Sequence, residues 1–156
     1  MCSDLSKVNL PISEANGLPN SHYIDERVFQ KEKECLLYDN WSGVAFENDV
    51  VNPGDALPLD LLGFPLLVIR DYKNQICVYQ NVCRHRGMIL VEEKKNIRGT
   101  IRCPYHSWSY NLDGSLRATP HIGGPGYNHH KDLNKKNLGL KKIRSYVFLG
   151  VIFVNI

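Results

Sequence analysis

The chain lacks the features that mark a membrane or nucleic-acid protein. Its 156 residues contain no stretch approaching the roughly 18 uninterrupted apolar residues of a spanning helix. The N-terminus is polar and lacks the charged-then-apolar layout of a secretory leader. Charge of one sign is also scarce: the formal net charge is only +3, with acidic and basic residues interspersed. The densest basic stretches are Lys94-Lys95 and the segment Lys131 to Lys142, which Asp132, Leu133 and Asn134 interrupt. Neither makes the concentrated basic face of a nucleic-acid binder, and both read as solvated loops. No internal repeat is present, and the cysteines (Cys2, Cys35, Cys77, Cys83, Cys103) form no disulfide framework. With Cys83 and Cys103 set aside as ligands, the odd, scattered remainder predicts a reducing compartment, the cytosol.

What remains is ordinary globular material: 43% hydrophobic and 22% charged residues, enough for one domain with a normal core. Residues 1–20, with Pro11, Gly17 and Pro19, read as a mobile arm. A helix is predicted from Ser21, as N-cap, to about Tyr38, with Asp25 and Glu26 in its first turn. Ile24, Val28 and Cys35, beside Phe29 and Leu36, give it one apolar stripe. Short β runs follow: Trp41 to Phe46, Pro65 to Ile69, Ile76 to Tyr79, Thr100 to Arg102, Trp108 to Tyr110, Leu116 to Ala118, and a final strand over Val147 to Val154. Asp113-Gly114 marks a hairpin. Residues 119–139 read as a long surface loop. Many short strands with turn signals point to an all-β sandwich or barrel.

Two short motifs carry the chemistry. Cys83-Arg84-His85-Arg86-Gly87 is C-x-H; after seventeen further residues comes Cys103-Pro104-Tyr105-His106, which is C-x-x-H. Each pair leaves a strand and enters a turn, sharpened by Gly87 in the first and stiffened by Pro104 in the second. One Cys and one His per loop lets each loop reach both metals of a two-iron cluster. Cys83 and Cys103 are predicted as thiolates on the inner iron, His85 and His106 on the outer one: Rieske-type [2Fe–2S] ligation. Neutral histidines in place of thiolates raise the potential above plant-type ferredoxins and couple reduction to protonation. The chain therefore reads as an electron carrier.

A Cys2His2 zinc site uses the same donors, but its usual spacing pairs Cys with Cys and His with His. His129-His130 with Asp132 has the composition of a mononuclear iron triad. Adjacent residues in a Gly/Asn/Lys loop give no rigid facial geometry, so these histidines, with His121, read as solvated. Trp108 and Tyr110 are either core aromatics of a hairpin or a lid over the cluster, with the Tyr110 hydroxyl on a ligand sulfur. Arg84 and Arg86 are either surface charges or an attraction for an acidic redox partner.

Asn81-Val82-Cys83-Arg84-His85-Arg86-Gly87, Cys103-Pro104-Tyr105-His106-Ser107-Trp108-Ser109-Tyr110 and Leu112-Asp113-Gly114-Ser115-Leu116 together resemble the N-terminal domain of Rieske non-haem iron oxygenase α subunits. These are ring-hydroxylating dioxygenases and related monooxygenases or demethylases. The resemblance spans about Ser21 to Ile156. It implies a Rieske-type antiparallel β-sandwich over 21–156, with a cluster-binding subdomain at 81–118 and one preceding α-helix. Respiratory Rieske proteins resemble C-T-H-L-G-C and C-P-C-H-G-S. Here Met88 and Tyr105 stand where those carry a disulfide, and Trp108 stands where they carry a serine donor, which implies a lower potential. Ser107 departs from the C-P-Y-H-G-W that most oxygenases resemble.

The resemblance further implies a ferredoxin or flavin reductase as electron donor. The electrons pass to a mononuclear Fe(II) that activates O2 in a C-terminal domain, usually of a neighbouring subunit in a homo- or hetero-oligomer built on trimers. That domain is absent from this chain, and the abrupt apolar ending Val151 to Ile156 reads as cut rather than finished. The alternative is a free-standing Rieske ferredoxin, for which the arm, the leading helix and that ending are superfluous.

Overall fold

A computed structural model describes residues 5–128 and 130–156. Cys2, His129 and the first four residues of the expected arm lie outside the described residues. The chain divides into two compact units, the second beginning at Trp41.

In the first unit, turns close Lys7 to Asn16 and Pro11 to Ala15 through backbone hydrogen bonds. The expected helix is there, but it starts differently. A single turn, α1 (Ser21–Ile24), stops at Asp25, whose backbone is extended (φ −89°, ψ 115°). Asp25, not Ser21, is the working cap: its carboxylate accepts the Arg27 backbone N–H and opens α2 (Glu26–Glu32). The Arg27 side chain also bonds that carboxylate and holds its pKa down at about 2. A π-helical stretch, Lys33–Tyr38, completes the element. Its apolar stripe is not buried: Ile24, Phe29 and Leu36 are exposed.

Among the described residues, the second unit holds three antiparallel sheets. The central one has the order β4 (Ile76–Gln80), β3 (Phe64–Arg70), β2 (Asp55–Leu61), β5 (Lys95–Asn96). A second sheet sets β10 (Val151–Asn155) between β1 (Ser42–Phe46) and β9 (Arg144–Phe148). The third is small: β6 (Ile101–Arg102), β7 (Ser109–Tyr110) and β8 (Leu116–Ala118). Residues 141–143 run along β4, through Gln80 N–H to Lys141 O and Ile143 N–H to Val78 O, and so tie the two larger sheets together.

The apolar run at β3 is continuous because both faces of the central sheet are covered. Leu66 and Val68 face one core with Val78, Ile152 and Val154. Leu67 and Ile69 face the other, with Tyr79, Cys83, Cys103, Trp108 and Tyr110. The first core is the interior of a β-sandwich; the second packs the small sheet and its loops onto the outside of it.

Two expectations are corrected. Val147 to Val154 is not one strand but a hairpin turning at Leu149 (φ 48°) and Gly150 (φ 78°). A two-residue turn of this hand needs positive φ at both positions, and Leu149 gives no hint of it. The 119–139 loop also carries a short 3₁₀ turn at Lys135–Leu138, opened by the Asn134 side chain accepting Lys136 N–H. Among the described residues, no helix is long and apolar enough to cross a membrane.

Candidate metal centre

The two motif loops share one backbone design. In the first, Cys83 N–H donates to Met88 O (2.8 Å) and Gly87 N–H to Cys83 O (3.1 Å). In the second, Cys103 N–H donates to Trp108 O (2.8 Å) and Ser107 N–H to Cys103 O (3.1 Å). Each loop thus closes between its cysteine and the residues four and five places later. The fourth residue has positive φ in both: Gly87 at 74° and Ser107 at 57°. Loop one is anchored at its base by buried Asn81, whose side-chain amide donates to Val91 O and accepts Val91 N–H. Loop two is carried by β6 and β7, paired Arg102 to Ser109.

This design brings the predicted ligands together in pairs, His85 beside His106 and Cys83 beside Cys103. Both cysteines are 3% exposed, whereas both histidines are half-buried at the rim. The imidazole rings of His85 and His106 stand 4.8 Å apart, nearly perpendicular. The Nδ1 atoms of both are buried without a hydrogen-bond partner among the described residues. Two buried, unpaired imidazole nitrogens side by side are an unfavourable arrangement unless something ligates them, so the donor set fits a metal group bridging the loops. A tetrahedral zinc site gathers four donors on one ion. Here the two cysteines are buried and the two histidines half-buried, so the sulfur pair and the nitrogen pair differ in exposure.

Aromatic side chains brace the rim. The Trp108 ring stacks on His85 at 4.7 Å and 10°, and it also belongs to the core. Tyr105, 58% exposed, lies 3.7 Å from the His106 ring. Tyr110 is wholly buried, with its hydroxyl 3.3 Å from Cys83 Sγ. The same oxygen accepts the Arg84 backbone N–H at 3.0 Å.

The electrostatics suit ligation. Burial, then the neighbouring His106 and Arg86 charges, hold His85 below the usual imidazole range, in the neutral form that binds metals. Burial pushes the Cys83 thiol up, against the pull of Tyr110 and the His85 backbone N–H. A bound metal reverses that balance and makes the sulfur a thiolate. Burial and the nearby Cys83 keep the Tyr110 hydroxyl protonated.

Two other described histidines lie in the long loop. His130 is exposed and faces Asp132, and the exposed His121 accepts the Gly126 N–H. Three supports were not singled out in the sequence as acting on the centre: Asn81, Tyr105 and the Arg102–Ser107 hydrogen bond. An aromatic beside a ligand is the one signal that could have flagged Tyr105.

Residues 40–142 match the Rieske [2Fe-2S] domain, and the chain belongs to that family; its cofactor is the [2Fe–2S] cluster. Among characterised relatives, the glycine betaine monooxygenase oxygenase subunit of Pseudomonas aeruginosa is 32% identical over 90% of this chain and 31% of its own length. The carnitine monooxygenase oxygenase subunit of Acinetobacter baumannii is 28% identical over 88% of this chain and 36% of its own. Of solved structures, a quaternary ammonium Rieske monooxygenase superposes with TM-score 0.82 at 28% identity, covering 90% of this chain and 40% of that one. Naphthalene 1,2-dioxygenase from Rhodococcus superposes with TM-score 0.80 at 30% identity, covering 88% and 31%. The chain spans about a third of the length of these relatives. All of them are oxygenases or oxygenase components, not free-standing ferredoxins.

Proposed function

We propose that this chain is the electron-relay domain of a Rieske oxygenase α subunit, and that Cys83, Cys103, His85 and His106 hold its cluster. The observation that carries the reading is that His85 and His106, their rings 4.8 Å apart, each bury an Nδ1 with no partner among the described residues, in loops whose two cysteines are buried. When bound, the cluster takes up and releases one electron at a time. The chain's own residues set the terms. Cys83 and Cys103 would hold the cluster through their sulfurs, and His85 and His106 through their imidazole nitrogens. Tyr110 keeps a protonated donor against the Cys83 sulfur, and Trp108 fixes the plane of His85. The electron donor is a ferredoxin or flavin reductase, attracted by the Arg84 and Arg86 charges. The acceptor is the mononuclear iron of a catalytic domain, in the same or a neighbouring α subunit of a trimer-based oligomer. The compartment is the cytoplasm.

The test is direct. Protein loaded with iron and sulfide, then reduced with dithionite, gives a rhombic EPR signal and about two irons per chain. His85→Ala and Cys103→Ala each abolish it; a retained cluster in either variant refutes the ligand set.

A further inference from the structure

The two loops are alike in backbone but not at the corner. The corner residue adopts positive φ in both, and only the second loop places a side chain there. A Cβ at Gly87 would meet nothing within 4 Å, so φ alone favours glycine in the first loop. The same conformation strains Ser107, because a Cβ crowds its own backbone when φ is positive. The strain comes with a bond that glycine cannot make. The Arg102 guanidinium Nη2 donates to Ser107 Oγ at 3.1 Å. Arg102 is the last residue of β6, immediately before Cys103, and Ser107 immediately follows His106. The hydrogen bond therefore spans the second loop from its entry to its corner, outside the backbone bonds that both loops share. Arg102 is exposed, and no carboxylate among the described residues pairs with it.

We infer that Ser107 and Arg102 form a clamp that closes the second loop and pins a positive charge beside the centre. They are positioning residues, acting through Cys103 and His106. The clamp does two separable things. Its hydrogen bond resists opening of the loop, and its charge favours the more negative, reduced state of whatever group the loop holds. The inference rests on the reading that this loop binds the cluster, and the test is arranged so that the two can fail separately.

The experiment uses the reconstituted holoprotein with Ser107→Ala, Ser107→Gly, Arg102→Gln and the Ser107→Gly/Arg102→Gln double variant. Visible absorbance follows cluster loss to an iron chelator, and a redox titration gives the midpoint potential. Ser107→Ala keeps the strain and loses the bond, so it should release the cluster about fivefold faster than the parent, the factor one net hydrogen bond carries. Ser107→Gly relieves the strain and is safe to fold, so it should lose the cluster more slowly than Ser107→Ala while its potential still drops. That drop should shrink as salt is raised, because the charge is solvent-exposed. Arg102→Gln should lower the potential in the parent and do little more in the Ser107→Gly background. Parental chelation rates in Ser107→Ala, or equal Arg102→Gln effects in both backgrounds, overturn the clamp. A parent without a Rieske spectrum overturns the clamp and the function together.

Discussion

The Tyr110 hydroxyl has one proton and two neighbours. It accepts the Arg84 N–H and lies 3.3 Å from the Cys83 sulfur; with that sulfur bound as a thiolate, the hydroxyl is the group with a proton to donate. A ligand sulfur that accepts a hydrogen bond carries added electron density more easily, so this contact raises the potential. Tyr110→Phe keeps the buried ring and removes the bond. The variant should retain its cluster and show a lower midpoint potential in an EPR-monitored redox titration. It also leaves the Arg84 N–H without its acceptor, which lowers unfolding stability by about 1–3 kcal/mol, read from urea denaturation. Unchanged potential with intact cluster would mean that the hydroxyl does not donate to the Cys83 sulfur.

At the scale of elements, the β7–β8 hairpin decides how the small sheet sits on the central one. Gly114 has φ 83°, and a Cβ there would come within 2.5 Å of the Tyr79 ring. Tyr79 in turn donates to Leu112 O at 3.2 Å, and Gly114 O accepts the Leu140 N–H. Gly114→Ala should therefore destabilise by about 2–4 kcal/mol, from strain and overpacking together. Gly150→Ala, also at positive φ but with open space around it, should lose only the strain part, about 1 kcal/mol. Thermal melts of both variants give the comparison. In the same turn, Ser115 Oγ and N–H hold the Asp113 carboxyl below the usual carboxylate range. A carboxylate with a depressed folded pKa stabilises the fold above its unfolded value, about 4, and that contribution fades as the pH falls through the folded value. The stability gap between parent and Asp113→Asn should thus be complete at pH 7 and narrow below about pH 4.

These elements were unequally legible. The ligand motifs, the β3 and β4 runs and the Asp113-Gly114 turn announce themselves because ligand chemistry, burial and positive φ each demand particular residues at fixed spacing. β2 does not, since Asp55, Pro58 and Asp60 break its β texture. Pro58 is tolerated because β5 pairs only with Asp55 and Ala56, leaving an edge beyond. The break at Asp25 and the Leu149-Gly150 turn were hidden for a similar reason: a capping aspartate reads equally well inside a first turn, and a leucine at positive φ looks like strand. The approach of Tyr79 to Gly114 joins residues far apart in the chain, and no local pattern encodes it.

On the scale of the whole second unit, the central sheet separates two interiors with different obligations. The sandwich core of Val50, Leu66, Val68, Val78, Ile152 and Val154 contains none of the four proposed ligands. The other core includes Cys83 and Cys103, and its outer edge consists of the two loops. The loops hold themselves by a few backbone bonds, while the Nδ1 atoms of His85 and His106 lack a partner among the described residues. Removing the metal leaves those nitrogens and two buried thiols uncompensated on one side of the sheet only, a cost that falls on the loops and scarcely reaches the sandwich. Stripping iron and sulfide should therefore erase hydrogen-exchange protection at residues 83–88 and 103–108. Protection in β2 to β4 and in β9 to β10 should stay within about tenfold of the holoprotein. Peptide-resolved exchange on the two forms tests this division. A uniform loss across both cores would mean that the sandwich depends on the cluster, and that residues 81–118 are not a separable cluster-binding subdomain.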